Sequence, residues 1–386
     1  MSETGSNIFA PALAPRASAR SASAVRWLLG SAAVIVALLL ALGILLLVGS
    51  QTGLVPLLIG FTLATLPVPV YLALVLWLDR YEAEPAAQLA LVFFWGALVA
   101  VLLAFLFNTL GELVVGALVS RSAGETSGAI LFAPVVEESS KALVLFGLFF
   151  LKRDDFDGVV DGIVYASMVG LGFAMTENIQ YYGGAALEGG VHGSLQLFIL
   201  RGAMAPYSHP LFTSMTGIGL GLAAQTRSRA LKFIAPVAGL ALAMFLHSLW
   251  NLSASVHALF YLAVYFLVMM PVFVGVLLAV FYGLRREGRI VREQLQVDLS
   301  EGLLTPEEIE CLCSVPRRMS ASLLALRRGG VTTWRARRQF HGVASELAFH
   351  RERVARGGRT HDGSDAAREQ LYRSELCELL ARLRAG

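Results

Sequence analysis

Apolar runs dominate the chain, and about eight of them are long enough, at roughly 20 residues of helix, to cross about 30 Å of hydrocarbon. They fall at 27–48, 54–78, 88–119, 129–151, 158–181, 195–223, 233–251 and 258–284. The third and sixth exceed the length a crossing needs, which predicts tilt or an interfacial turn there. The first run is too long for the apolar core of a signal peptide, and no small-residue cleavage site follows it, so it is read as a retained helix. The expected fold is therefore all-α, a polytopic transmembrane helical bundle.

The flanks read differently. Residues 1–25, rich in Ser, Ala and Pro with Arg16 and Arg20, read as a disordered basic leader. Residues 26–284 form the transmembrane domain, and from Arg285 to Gly386 the chain turns dense in Arg and Glu with Leu and Ala at helical spacing. That last part reads as a charged helical tail, soluble or lying on the membrane surface. Short loops set the orientation. With the N-terminus inside, one side collects Arg80, Lys152, Arg153, Arg227, Arg229, Lys232, Arg285, Arg286 and Arg289, whereas the other holds Arg121. Both termini are thus expected in the cytoplasm, with the protein in the cell membrane.

Composition agrees: 56% hydrophobic against 15% charged excludes an ordinary soluble enzyme. The three cysteines, Cys311, Cys313 and Cys377, all lie in the tail, so neither a structural disulfide nor a cysteine nucleophile within the membrane is expected. No nucleic-acid or dinucleotide motif is present, and the oligomeric state is left open.

Polar residues inside the spans carry the chemistry, because each costs a few kcal/mol at the bilayer centre and so marks a site or a partner. The fourth span holds Glu137, Glu138 and Lys141. Helical spacing puts Lys141 on the face of Glu137 and turns Glu138 about 100° away, which predicts one paired and one free acid. The bland alternative is a packing ion pair. The fifth span carries Glu177 and several glycines suited to close helix contact, and Asp157 and Asp161 read as caps at its other end. In the sixth, Pro206 and Pro210 flank His209 and break the helix, freeing backbone groups that need partners. In the seventh, His247 and Asn251 share a face; the alternative to catalysis is interhelical hydrogen bonding. Counting 1.5 Å per residue from the span ends, all of these can meet in the outer half of the bilayer. Independent structural residues have no reason to share a depth.

Four ordered motifs then emerge: Glu137-Glu138-x-x-Lys141, Phe173-x-x-x-Glu177, His209, and His247-x-x-x-Asn251, preceded by the Asp79-Arg80-Tyr81-Glu82-x-Glu84-Pro85 loop. Over about residues 75–255 the chain resembles the PrsW family of bacterial intramembrane proteases, related to the CAAX prenyl endopeptidases. Relative to the latter, a lysine follows the paired glutamates after two residues where they have an arginine after three, and Glu177 stands where they have histidine. The resemblance implies hydrolysis of a peptide bond in a single-pass membrane protein, typically the first cut in an anti-sigma factor.

On this reading Glu137 or Glu138 acts as general base on a water, tuned by Lys141. His209 positions the water, Glu177 assists proton transfer, and His247 with Asn251 stabilises the oxyanion. That version needs no cofactor; a second places a zinc ion on Glu137, His209 and His247, with a metal-bound water as nucleophile. No His-Glu-x-x-His or Gly-x-Ser-x-Gly motif occurs, and adjacent Ser140 and Lys141 make a poor dyad. The rival class is a proton- or ion-coupled transporter, since the same residue types build ion pathways.

Overall fold

The structure is a computed structural model that describes residues 17–81, 84–118, 120–121, 128–152, 156–356 and 364–385. Most of the expected leader at 1–25 lies outside them, and helix α1 (Ala17–Thr52) already begins within its last part. No strand occurs among the described residues.

After α1 come α2 (Leu54–Thr65) and α3 (Val68–Leu78), separated at Pro67, where the missing donor and a second proline at Pro69 interrupt the ladder. Helix α4 (Ala86–Phe94) passes through a wider, π-type turn into α5 (Val101–Leu118). Helix α6 (Ala133–Leu151) starts with Pro134 in its first turn, where its absent N–H is harmless. Then follow α7 (Val159–Phe198), α8 (Ser208–Gln225), α9 (Arg229–Val256), α10 (Ala258–Val264) and α11 (Met270–Gln294). Near the start of α7, Asp161 accepts the backbone N–H of Asp157 at 3.1 Å, in keeping with a capping role.

Among the described residues, six helical stretches are long and apolar enough to cross a membrane: Gly30–Thr52, Leu54–Leu78, Ala86–Leu118, Val159–Gln225, Arg229–Val256 and Ala258–Gln294. The count differs from the eight expected for two physical reasons. Helix α6, 19 residues long, carries Glu137, Glu138 and Lys141 and so is not apolar by composition. The expected fifth and sixth runs belong to one helical stretch of 67 residues. That stretch is not straight. Gly190 takes φ +62°, which an L side chain resists, and the Ser194 hydroxyl donates to the Tyr182 carbonyl at 2.6 Å, so the chain folds back on itself. It breaks again between Ala205 and Tyr207, around Pro206.

Helix α8 packs between α7 and α9, and α2 lies along α7. Close approach of α7 to α8 needs glycine: a Cβ on Gly162 would enter the backbone of Gly217, and one on Gly217 that of Gly162. Outward-facing Leu38, Leu39, Leu46, Leu106, Leu113, Leu267 and Leu278 are more than half exposed, as lipid contact demands.

The expected boundary at 284/285 is a change of composition inside one helix, since α11 runs through it. Beyond lie α12 (Gln296–Ser300), α13 (Pro306–Leu312), α14 (Val315–Ala355, bent at Gly330) and α15 (Asp365–Ala385). Far from being independent surface helices, they share a core of Leu295, Leu304, Leu312, Phe340, Leu347 and Leu376, into which Tyr81 from the loop before α4 is also packed. The Tyr81 hydroxyl donates to the Cys313 carbonyl at 2.7 Å. Buried Arg318 lies over the Tyr81 ring and donates to Leu312 and Ser345.

Candidate active site

Four helices bring the site together. Helix α6 supplies Glu137, Glu138 and Lys141; α7 supplies Glu177; the first turn of α8 supplies His209; α9 supplies His247. Glu138 and Lys141 are fully buried, and Glu137, His209 and His247 expose 6% or less. Gly170 lets α7 approach this point: its Cβ position is 2.7 Å from the Pro210 nitrogen and 2.8 Å from the His209 carbonyl.

The pairing of charges reverses the expectation from spacing. Lys141 Nζ donates to Glu138 Oε1 at 2.8 Å and stands 3.6 Å from Glu137 Oε2. Glu138 wins because its two oxygens are fixed from other helices, Oε1 by His247 Nδ1 at 3.0 Å and Oε2 by the Thr213 hydroxyl at 2.9 Å. Glu138 is thus the hydrogen-bonded acid, and Glu137 keeps the longer ion contact to Lys141.

These contacts assign the protons. An ammonium has no acceptor capacity, so Lys141 donates to His209 Nδ1 at 3.1 Å, and the proton of the neutral ring lies on Nε2, donated to Glu177 Oε2 at 2.8 Å. Arg201 donates to the same oxygen at 2.6 Å and to Asn178 Oδ1 at 2.8 Å. Carboxylate Glu138 takes the Nδ1 proton of His247, so that in the neutral ring Nε2 carries the lone pair. That nitrogen faces Glu137 Oε2 at 3.8 Å, and Glu137 Oε2 is buried without a hydrogen-bond partner.

Two electron-rich atoms facing each other out of water call for an electrophile between or beside them. One ligand atom from each of Glu137, His209 and His247 lies within 4.8 Å of the others, the one such group of three among the described residues. Two imidazoles and a carboxylate suit a zinc-type ion, and Glu138 on His247 Nδ1 is the outer carboxylate that orients a ligating histidine. The residue types therefore fit a divalent metal, which His209 would ligate by releasing Nδ1 from Lys141 or Nε2 from Glu177.

Glu137 and Glu177 also line a cavity of about 640 Å³ between α1, α5 and α7, so the cluster opens into space that a ligand can enter. Asn251 lies on α9 one turn past His247, half-buried and outside the group of three. Arg201 and Thr213 were visible in the sequence without a role. An arginine inside an apolar run demands an acid, and Glu177 is that acid; nothing local announces the Thr213 bond to Glu138.

A helical bundle with a buried carboxylate–histidine centre beside a cavity defines a multi-pass membrane protein with an enclosed polar site. Residues 84–276, half of the chain, match the PrsW family intramembrane metalloproteases, and the chain belongs to that family. It is 35% identical over 145 residues to Protease PrsW of Geobacillus kaustophilus (strain HTA426), covering 38% of this chain and 58% of that one. Against Protease PrsW of Clostridioides difficile (strain 630) it is 30% identical over 157 residues, 41% and 63% of the two chains. Against that of Bacillus subtilis (strain 168) it is 31% identical over 153 residues, 39% and 63%. The chain thus spans about six-tenths of the length of these relatives. No solved structure matches it.

Proposed function

We propose that the protein is an intramembrane endopeptidase that hydrolyses a peptide bond of a single-pass membrane protein at the Glu137–His209–His247 centre. The observation that carries this is the buried Glu137 Oε2, which makes no hydrogen bond and stands opposite His247 Nε2 on a residue that lines the cavity. Family membership supports the same chemistry and gives no support to the transporter reading.

Glu137, His209 and His247 would hold a divalent ion such as zinc, which when bound supplies Lewis acidity toward water and the scissile carbonyl. Glu138 fixes the ring and tautomer of His247, and Lys141 balances the charge of Glu138. Glu177, held by Arg201 beside the cavity, takes the proton of the attacking water. As the C–N bond breaks, the same carboxyl returns that proton to the amine. Asn251, one turn from His247, is assigned as an amide donor to the oxyanion.

Positive charge in the short loops supports a cell-membrane protein with both termini cytoplasmic. This orientation puts the end of α5 outside and the site in the outer half of the bilayer, suited to a first cut such as that of an anti-sigma factor. The test is cleavage of tagged single-pass segments in reconstituted vesicles by the native protein, Glu137→Gln and His247→Ala. Cleavage lost in both folded variants is the expected result; cleavage that survives either substitution rejects this centre.

A further inference from the structure

The cavity is built from three helix stripes. Ile44, Val48 and Gln51 come from α1; Val101, Phe105, Asn108 and Glu112 from α5; Glu177, Tyr181, Gly184 and Glu188 from α7. Each set repeats at three- or four-residue steps, so each is one continuous face. Val101 and Phe173 share a small core at the end where Glu137 and Glu177 lie. At the other end stand Glu112, whose side chain packs on Gly128, and Glu188 at the tip of the α7 hairpin, both exposed.

Two residues that line this cavity carry a covered acceptor without a hydrogen-bond partner: Glu137 Oε2, on a side chain more than nine-tenths buried, and Asn108 Oδ1, on a half-buried side chain whose amide must turn to face the cavity. A buried carbonyl oxygen without a donor loses on the order of 1–3 kcal/mol, so a ligand with an N–H to offer is favoured there. An unwound peptide offers one at every residue but proline.

Resting on the protease reading, we propose that this cleft binds the substrate as an extended peptide, with Asn108 accepting a substrate backbone N–H and the Glu112–Glu188 rim selecting a basic side chain. From Glu177 to Glu188 the helix rises about 16 Å. An extended chain covers that distance in about five residues. The preferred substrate therefore carries Lys or Arg about five residues from the scissile bond, on the side where α5 ends.

The test uses the full-length protein in vesicles with a photo-crosslinking residue at Thr109, which also lines the cleft. It is offered two single-pass segments that differ only in Lys or Glu at that fifth position, and both capture and cleavage are read. The native protein is expected to capture the lysine segment about fivefold better, the size of a pair of partly exposed ion contacts. The exposed pair Glu112→Gln/Glu188→Gln is expected to erase the preference, and Asn108→Ala to lower capture of both segments alike. Equal capture by the native protein, or a preference that survives the double substitution, overturns the proposal. Preferential capture without any cutting upholds the cleft and rejects the protease.

Discussion

Two regions of this molecule bury charge, and they treat it differently. In the tail, fully buried Asp298 is held by Arg351 at 2.5 Å and 3.4 Å and by Arg373 at 3.3 Å, and Arg318 reaches Leu312, His341 and Ser345. In the membrane, Glu138 is as completely held, by Lys141, His247 and Thr213, yet adjacent Glu137 keeps an oxygen without a hydrogen-bond partner. A buried charge surrounded by dedicated partners holds elements in place. One left open beside a cavity is available to a ligand.

The largest effect is expected where the difference is sharpest. Glu137→Gln should lower cleavage by about 1000-fold or more with little change in thermal stability, because the replaced oxygen makes no hydrogen bond to lose. Parallel vesicle assays and melting curves check this. Asp298→Asn should do the reverse, destabilising the tail by about 3 kcal/mol because Arg351 and Arg373 lose the buried carboxylate they share and keep only Glu369 and Glu301, as read by protease resistance of residues 285–386.

Glu138→Gln joins the two behaviours. Lys141 would keep a charge with its main partner gone and His247 would lose its acceptor, so both stability, by about 3 kcal/mol, and cleavage should fall.

The smallest effect concerns pH. Burial, with Arg318, Arg337 and Arg338 nearby, pushes His341 from 6.5 down to about 3. The unfolded chain therefore binds this proton more tightly, so the contribution is intact above about pH 6.5 and is lost as pH falls toward 3. Acid titration of tail unfolding should lose this component in His341→Gln.

Much of the membrane region was legible in the sequence because polar residues in apolar runs stand out. Glu137, Glu138, Lys141, Glu177, His209 and His247 could be drawn together from depth alone, and the structure places them in one cluster. Which acid Lys141 holds was not legible. Spacing favours Glu137, but the decision comes from Thr213 and His247 on other helices, and local periodicity carries no information about them. The hairpin at Gly190 was hidden because helix continues on both sides of one glycine.

The tail was the least legible part. Its buried charges were hidden because Asp298 and Arg318 sit in a polar stretch, and the packing of Tyr81 joins residues more than two hundred positions apart. Asn108 passed unnoticed inside the long third run. A single amide among apolar residues looks like tolerated polarity until the cavity beside it is seen.

The central claim is that the open pair of Glu137 and His247 is completed by a metal ion, and elemental analysis of the purified full-length protein tests it most directly. The expected result is about one equivalent of a divalent metal such as zinc in the native protein and none in folded Glu137→Gln or His247→Ala. Native protein that is free of metal and still cuts its substrate would contradict the account.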